Sequence, residues 1–317
     1  MSNVRARAPE AQACSAVCMV RPAHFGSNAE TASSNFFQRS SAGLGDVALR
    51  AQREFDALAD ALEDAGVRVH RFDGQRDAAL PDEVFPNNWL SLHADGTAVL
   101  YPLLAPNRRR ERRTDVLAAL ERHGYRIDRL VDLSALEARG EYLEGTGSLV
   151  LDRVHRVAYA CLSPRTHPNA LAELGRALDY EIVAFHAVDG AGRSIYHTNV
   201  LLSVGARFAV LCTGAIRDRE ERRFVCSRLE HSGHELVELG DHELDNFAGN
   251  VLELAGADGN VIALSAAALA AFTAPTRRAL ERHARLVAVD IATIERVGGG
   301  SVRCMLAEVA LPLQSTA

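Results

Sequence analysis

The sequence contains no lysine; all 35 of its basic residues are arginine. Mechanisms that need an ε-amine are therefore excluded: a pyridoxal phosphate Schiff base, a lysine-dependent aldolase, a P-loop phosphate site. Codon bias in a GC-rich genome is the bland reading of the lack itself, and the exclusion stands either way. Long apolar runs are also missing. No stretch approaches the ~18 apolar residues of a transmembrane helix, and residues 1–13 carry arginines and small residues without the apolar centre of a signal peptide. Cysteine is sparse: six residues, at positions 14, 18, 161, 212, 226 and 304, too scattered for a disulfide framework in a chain this long. Cys14 and Cys18 form a C-x3-C pair with no second pair to complete a zinc site. Reduced core thiols, a cytoplasmic location and no resident metal or cofactor are the expectation. A net charge of −6 gives no reason to expect nucleic acid or an anionic membrane as partner.

What is present suits a large buried core: 317 residues, 48% hydrophobic and 24% charged. A hairpin-then-helix unit recurs. Residues 89–101 read as two apolar strands about an Asp95-Gly96 turn, followed by an arginine-rich helical stretch to about 123. Residues 148–161 repeat this with a helix over 169–178, residues 199–212 with a helix over 218–232, and residues 250–264 with a short helix after them. The starts at 89, 148, 199 and 250 are 59, 51 and 51 apart. Another 51 lands on Ser301, where 301–309 predicts a strand with no partner after it. The missing half lies at the other terminus, a strand over 16–21 followed by a helix over 44–65. Further strands are expected over 68–72, 126–132, 181–188 and 286–294. The expectation is α/β: five ββαβ units around an axis, a five-fold propeller whose ring is closed by the N- and C-terminal strands so that no sheet edge is left open. Residues 1–14 are expected as a weakly ordered tail and 15–317 as one domain.

In such a ring the residues before each hairpin converge at one mouth. They are Phe85-Pro-Asn-Asn88, Glu144-Gly-Thr-Gly147, His197-Thr-Asn199 and Gly298-Gly-Gly-Ser-Val-Arg-Cys304. A thiol with an imidazole from another unit is a pairing suited to nucleophilic catalysis. Three successive glycines before Cys304 point to backbone passing close to something, or to a lid. His186, His234 and His242 hold no comparable position and read as surface or loop residues.

At these residues the chain resembles the guanidine-modifying, or pentein, superfamily, over about residues 17–312. That group includes arginine deiminases, dimethylarginine dimethylaminohydrolases, amidinotransferases and succinylarginine dihydrolases. The opening Met19-Val-Arg-Pro-Ala-His-Phe-Gly-Ser-Asn28 and Asn35-Phe-Phe-Gln38 resemble citrulline-utilisation hydrolases in particular. The resemblance implies Cys304 as nucleophile, His197 as general acid/base and Glu144 as the carboxylate that grips the guanidino nitrogens. It implies Arg165, in Ser163-Pro-Arg-Thr, on the substrate carboxylate, with Arg108 as a second arginine and Asn35 near the ligand. Where arginine deiminases carry two aspartates, this sequence has Asn88 and Asn199. A guanidinium offers only N–H donors and favours ionised carboxylates; a neutral ureido group also presents a carbonyl, which an amide can serve from its N–H side. The exchange biases the expected substrate from arginine to citrulline, giving ornithine, carbon dioxide and ammonia. Arginine deiminase, arginine dihydrolase, dimethylarginine hydrolase and amidinotransferase activities remain alternatives, as does a non-catalytic propeller that binds a partner. A small amino acid is the expected ligand, and a homo-oligomer is left open.

Overall fold

The computed structural model describes residues 10–314. After the strands β1 (Ala16–Arg21) and β2 (Arg68–Asp73) the chain lays down four three-stranded sheets in succession. They are β3 (Leu90–Leu92), β4 (Thr97–Leu100) and β5 (Arg129–Asp132); β6 (Leu149–Asp152), β7 (Val157–Cys161) and β8 (Glu181–Phe185); β9 (Leu202–Val204), β10 (Phe208–Leu211) and β11 (Glu235–Glu238); and β12 (Leu252–Gly256), β13 (Gly259–Ser265) and β14 (Arg285–Val289). In each, the first two strands form an antiparallel hairpin and the third, reached through a helix, lies parallel to the second. The fifth sheet combines both ends of the chain. The last strand, β15 (Ala307–Glu308), pairs antiparallel with β1, which pairs in parallel with β2. The fold is mixed α/β, built from five small sheets of one design.

The helices follow from their apolar spacing. In Val47–Asp64 the buried residues are Ala51, Phe55, Leu58, Ala59 and Leu62, one stripe at helical period, and the Asp46 side chain caps the start by accepting the Leu49 N–H. After four of the helices the chain turns back in one manner: Val67, Tyr125, Tyr180 and His234 each donate their N–H to the carbonyl five residues earlier. Those four are buried where a sheet meets its surroundings, so the surface reading of His234 fails. Its Nε2 lies 2.9 Å from Asp152 Oδ2, a contact between neighbouring sheets, whereas His186 and His242 are exposed.

Two other expectations change. Residues 301–309 are not one strand: Val302–Met305 form a 3-10 turn and only Ala307–Glu308 pair. The strand expected over 286–294 stops at Val289, and Ala292–Gly298 is helical. All six cysteines are unpaired, and five are buried. Of the expected N-terminal tail, residues 1–9 lie outside the described residues. Gln12 is fastened: its Nε2 donates to Leu151 O and Val204 O, and its Oε1 accepts the Arg153 N–H. Among the described residues no helix is long and apolar enough to cross a membrane.

Each of the five sheets is preceded, within five residues of its first strand, by a polar residue of the same small region. These are Asn88 before β3, Glu144 before β6, His197 before β9, Asn250 before β12 and Cys304 before β15. Four of the approaches are single helical turns: Pro86–Asn88, Gly145–Ser148, Thr198–Val200 and Val302–Met305.

Candidate active site

The turns meet closely because glycine lets them. A Cβ on Gly145 would come within 2.1 Å of Asn87 O, and one on Gly147 within 2.4 Å of Asn88 Nδ2 and 2.7 Å of His197 Nδ1. No larger residue fits between the three approaches. The run at 298–300 has a matching cause. Phe85 packs where side chains on Gly298 and Gly300 would stand, and Gly299, at φ +65°, receives Asn35 and Gln38.

A narrow pocket opens between them. Cys304 and His197 line it together with Asn88, Arg108, Arg165 and Asn35. Cys304 Sγ accepts from Asn199 Nδ2 at 3.3 Å. His197 Nε2 faces Glu144 Oε2 at 2.9 Å, which fixes the proton on Nε2 and leaves the lone pair on Nδ1. Burial pushes the His197 imidazole down to about 4 against the pull of Glu144, so the ring is neutral at neutral pH. Glu144 is fully buried. The Arg165 guanidinium, His197 and Arg108 hold its carboxyl well below the usual range and outweigh the cost of burial.

Several expected residues serve other groups than the sequence implies. Glu144 presents no free oxygen to a guanidino group: Oε1 accepts the Leu104 N–H, and Oε2 accepts from His197 and from Arg165 Nη1 at 3.2 Å. It orients the imidazole. Arg108, in the run Arg108-Arg-Arg110, is the buried member. It donates to Asn88 Oδ1 at 2.9 Å and to Glu111 at 2.8 Å, with Asp82 3.7 Å away. Arg165 lies over the Tyr196 ring and donates to Ser34 Oγ and Thr31 O. Asn35 lines the pocket, yet its Nδ2 donates to Gly298 O and Gly299 O. That contact ties the 28–38 loop to the glycine run. Asn199 stands behind the sulfur rather than in the pocket wall, and its Oδ1 is buried without a partner.

Sequence reasoning missed Asp82, Tyr196 and Asn250. Asp82 lines the pocket with Oδ1 buried and unpartnered, while Oδ2 accepts from Asn28 Nδ2 at 2.7 Å. A lone Pro-Asp-Glu turn gives no signal for such a role. The Tyr196 ring packs on His197 at 4.5 Å, and its hydroxyl donates to Gly299 O. The position of Asn250 was legible, since it begins a hairpin as Asn199 does, 51 residues earlier.

Known proteins bear on this arrangement in two ways. Solved structures share the fold at low identity. ArgZ, an arginine dihydrolase from the ornithine–ammonia cycle in Cyanobacteria, matches with TM-score 0.71 and 18% identity over 94% of this chain and 41% of that chain. This chain thus spans about two fifths of the length of whole ArgZ; against its N-terminal domain the coverage is 93% and 97%, with TM-score 0.70 and 18% identity. A dimethylarginine dimethylaminohydrolase in adduct with S-methyl-L-thiocitrulline matches with TM-score 0.62 and 16% identity over 93% of this chain and 99% of that one. No curated protein matches. The family model described as N,N dimethylarginine dimethylhydrolase, eukaryotic, matches residues 21–311. With nine-tenths of its length matched, the chain belongs to the N,N-dimethylarginine dimethylhydrolase family, within the pentein superfamily of guanidino-modifying hydrolases.

Proposed function

We propose that this protein is a cysteine-dependent hydrolase that cleaves a C–N bond in the ureido group of citrulline, giving ornithine, carbon dioxide and ammonia. The observation that carries this reading is the neutrality of the polar groups nearest the sulfur. Asn199 and Asn250 donate to Sγ, His197 is uncharged, and Asn88 stands in the pocket wall, whose carboxylate is that of Asp82. Glu144 is already occupied by His197 and Arg165. A guanidinium brought to this sulfur would lack an ionised acceptor beside it, whereas a ureido carbonyl finds N–H donors.

In the proposed mechanism the Cys304 thiol loses its proton to His197 Nδ1, and the sulfur attacks the ureido carbon. His197 returns that proton to the departing ammonia. A water activated by the same nitrogen then cleaves the thiocarbamate, regenerating Cys304 and releasing a carbamate that decomposes to carbon dioxide and ornithine. Glu144 keeps the imidazole in the tautomer this requires. Arg165 and Arg108 are assigned to the α-carboxylate, and the unpartnered Asp82 oxygen to the α-ammonium. Asn35 acts on the ligand indirectly, as the clasp of the loop that covers it. Neither metal nor cofactor enters any step.

A second reading, arginine dihydrolase, is favoured by the likeness to ArgZ and by the unpartnered Oδ1 of Asp82 in the pocket wall. We further infer that the five sheets are the blades of one closed ring, that residues 15–317 form one catalytic domain, and that the unpaired thiols suit the cytoplasm. Incubation with citrulline, arginine and dimethylarginine in turn, with ornithine and ammonia measured, tests the substrate. Citrulline accumulating from arginine without ornithine would discard the ureido assignment.

A further inference from the structure

Asn250 has no part in the mechanism above, yet it touches the reacting atom. It stands two residues before β12 and is fully buried. Its Nδ2 lies 3.3 Å from Cys304 Sγ and 2.8 Å from Asn199 O, and its Oδ1 accepts the Arg303 N–H at 3.1 Å. These two backbone partners fix which way the amide faces. Reversed, it would set its oxygen against the Asn199 carbonyl and its NH2 against the Arg303 N–H, leaving two acceptors facing each other and two donors facing each other. The end nearer the sulfur is therefore an N–H donor, at 3.3 Å, while Oδ1, at 3.7 Å, can accept the proton of the neutral thiol. Asn199 supplies a second, also at 3.3 Å.

We propose that Asn250 is a catalytic residue: with Asn199 it forms a two-amide cradle that stabilises the Cys304 thiolate and aims its sulfur at the substrate carbon. The proposal rests on Cys304 being the nucleophile. A thiol is a weak acceptor, so both N–H···S bonds gain strength when the sulfur becomes anionic, and the cradle favours the nucleophilic form. His197 Nδ1 can face the thiolate as a donor only while it holds the thiol proton, whereas the amides donate throughout, and the Arg303 guanidinium donates to Thr146 O. Two neutral amides stabilise the thiolate without placing a cation at the floor of the pocket, which agrees with a neutral reacting group. The repeat explains how the pair arises: Asn199 and Asn250 occupy the same place in consecutive units, and the turn carrying Cys304 sits between them.

The test is the pH dependence of Cys304 alkylation by iodoacetamide from about pH 5 to about pH 10, resolved by residue, with the half-buried Cys226 as internal reference. Asn250→Ala removes the donor. Asn250→Asp retains the oxygen that accepts from Arg303 while setting a negative charge beside the sulfur, at the cost of the hydrogen bond to Asn199 O. The labelling midpoint is expected to rise by about one pH unit in Asn250→Ala, about tenfold slower labelling at neutral pH, and further in Asn250→Asp. The high-pH plateau is expected to stay at the wild-type level. A purely structural role would alter the plateau and leave the midpoint in place, and that result in either folded variant overturns the proposal. Wild-type labelling of Cys304 no faster than of Cys226 would instead remove the nucleophile assignment, and the cradle with it.

Discussion

Glu144 and His197 meet at 2.9 Å through Oε2 and Nε2, while Oε1 of the same carboxylate accepts the Leu104 N–H. Asn88 joins the same chain of contacts through Arg108, whose Nη1 lies 3.7 Å from Glu144 Oε2. Sheets that are remote in sequence thus share one electrostatic unit.

Glu144→Gln removes the charge that selects the imidazole tautomer and balances Arg165. A fall in kcat of about 10²–10⁴ is expected, by analogy with losing the orienting carboxylate of a catalytic triad. Because Glu144 raises the His197 pKa, the limb of the pH–rate profile that belongs to this histidine is expected to move to lower pH. Steady-state kinetics across pH checks both.

Asn88→Asp introduces a carboxylate where Asn88 Oδ1 now accepts from Arg108. The kcat/KM for citrulline is expected to fall by about one to two decades, the cost of leaving a buried carbonyl without its donor, while arginine turnover gains relative to it. Paired assays on the two substrates decide the matter. An unchanged ratio removes Asn88 from specificity.

Asp82→Asn is expected to raise KM about 10–100-fold and to leave kcat within about threefold, as loss of a charged contact to a non-reacting ammonium should. Initial-rate measurements separate the two constants.

Gly147→Ala drives a methyl toward Asn88 Nδ2 and His197 Nδ1. Overpacking there is expected to destabilise by about 1–3 kcal/mol and to reduce activity beyond what the remaining folded fraction explains. Thermal melting beside active-site titration gives both numbers.

Acid should unfold the protein early. Burial lowers His70 to about 4, His93 to about 3 and His197 to about 4, so between those values and about 6.5 the unfolded chain binds more protons than the native one. Stability is fully present above about pH 6.5 and is lost as pH falls toward 4. With two to three protons taken up, the slope near pH 5 is about 3–4 kcal/mol per pH unit. Denaturant melts at stepped pH measure it.

The hairpin spacing made four sheets legible, and the strands at both ends of the chain made the fifth. The neighbourhood of Cys304 was harder, because the alternation in 301–309 fits a strand, whereas Gly299 in the left-handed region and the packing of Phe85 on its neighbours turn the backbone into a single 3-10 turn. His197, Glu144 and Cys304 could be named from where they stand in the repeat. What Glu144 binds could not, since that depends on Leu104 and Arg165, brought in from separate loops. Asp82 and His234 were invisible for a similar reason: each sits in a polar loop whose burial is decided by another unit, at Asn28 and Asp152 respectively.

The pairing of β15 with β1 bears on how this polypeptide could be re-cut. The first and last strands of the described residues share a single sheet, so linking them directly and opening new ends at the Asp95-Gly96 bend would preserve every strand partnership. Such a permuted chain would carry Cys304 about two thirds of the way along, with ordered strands on both sides of it.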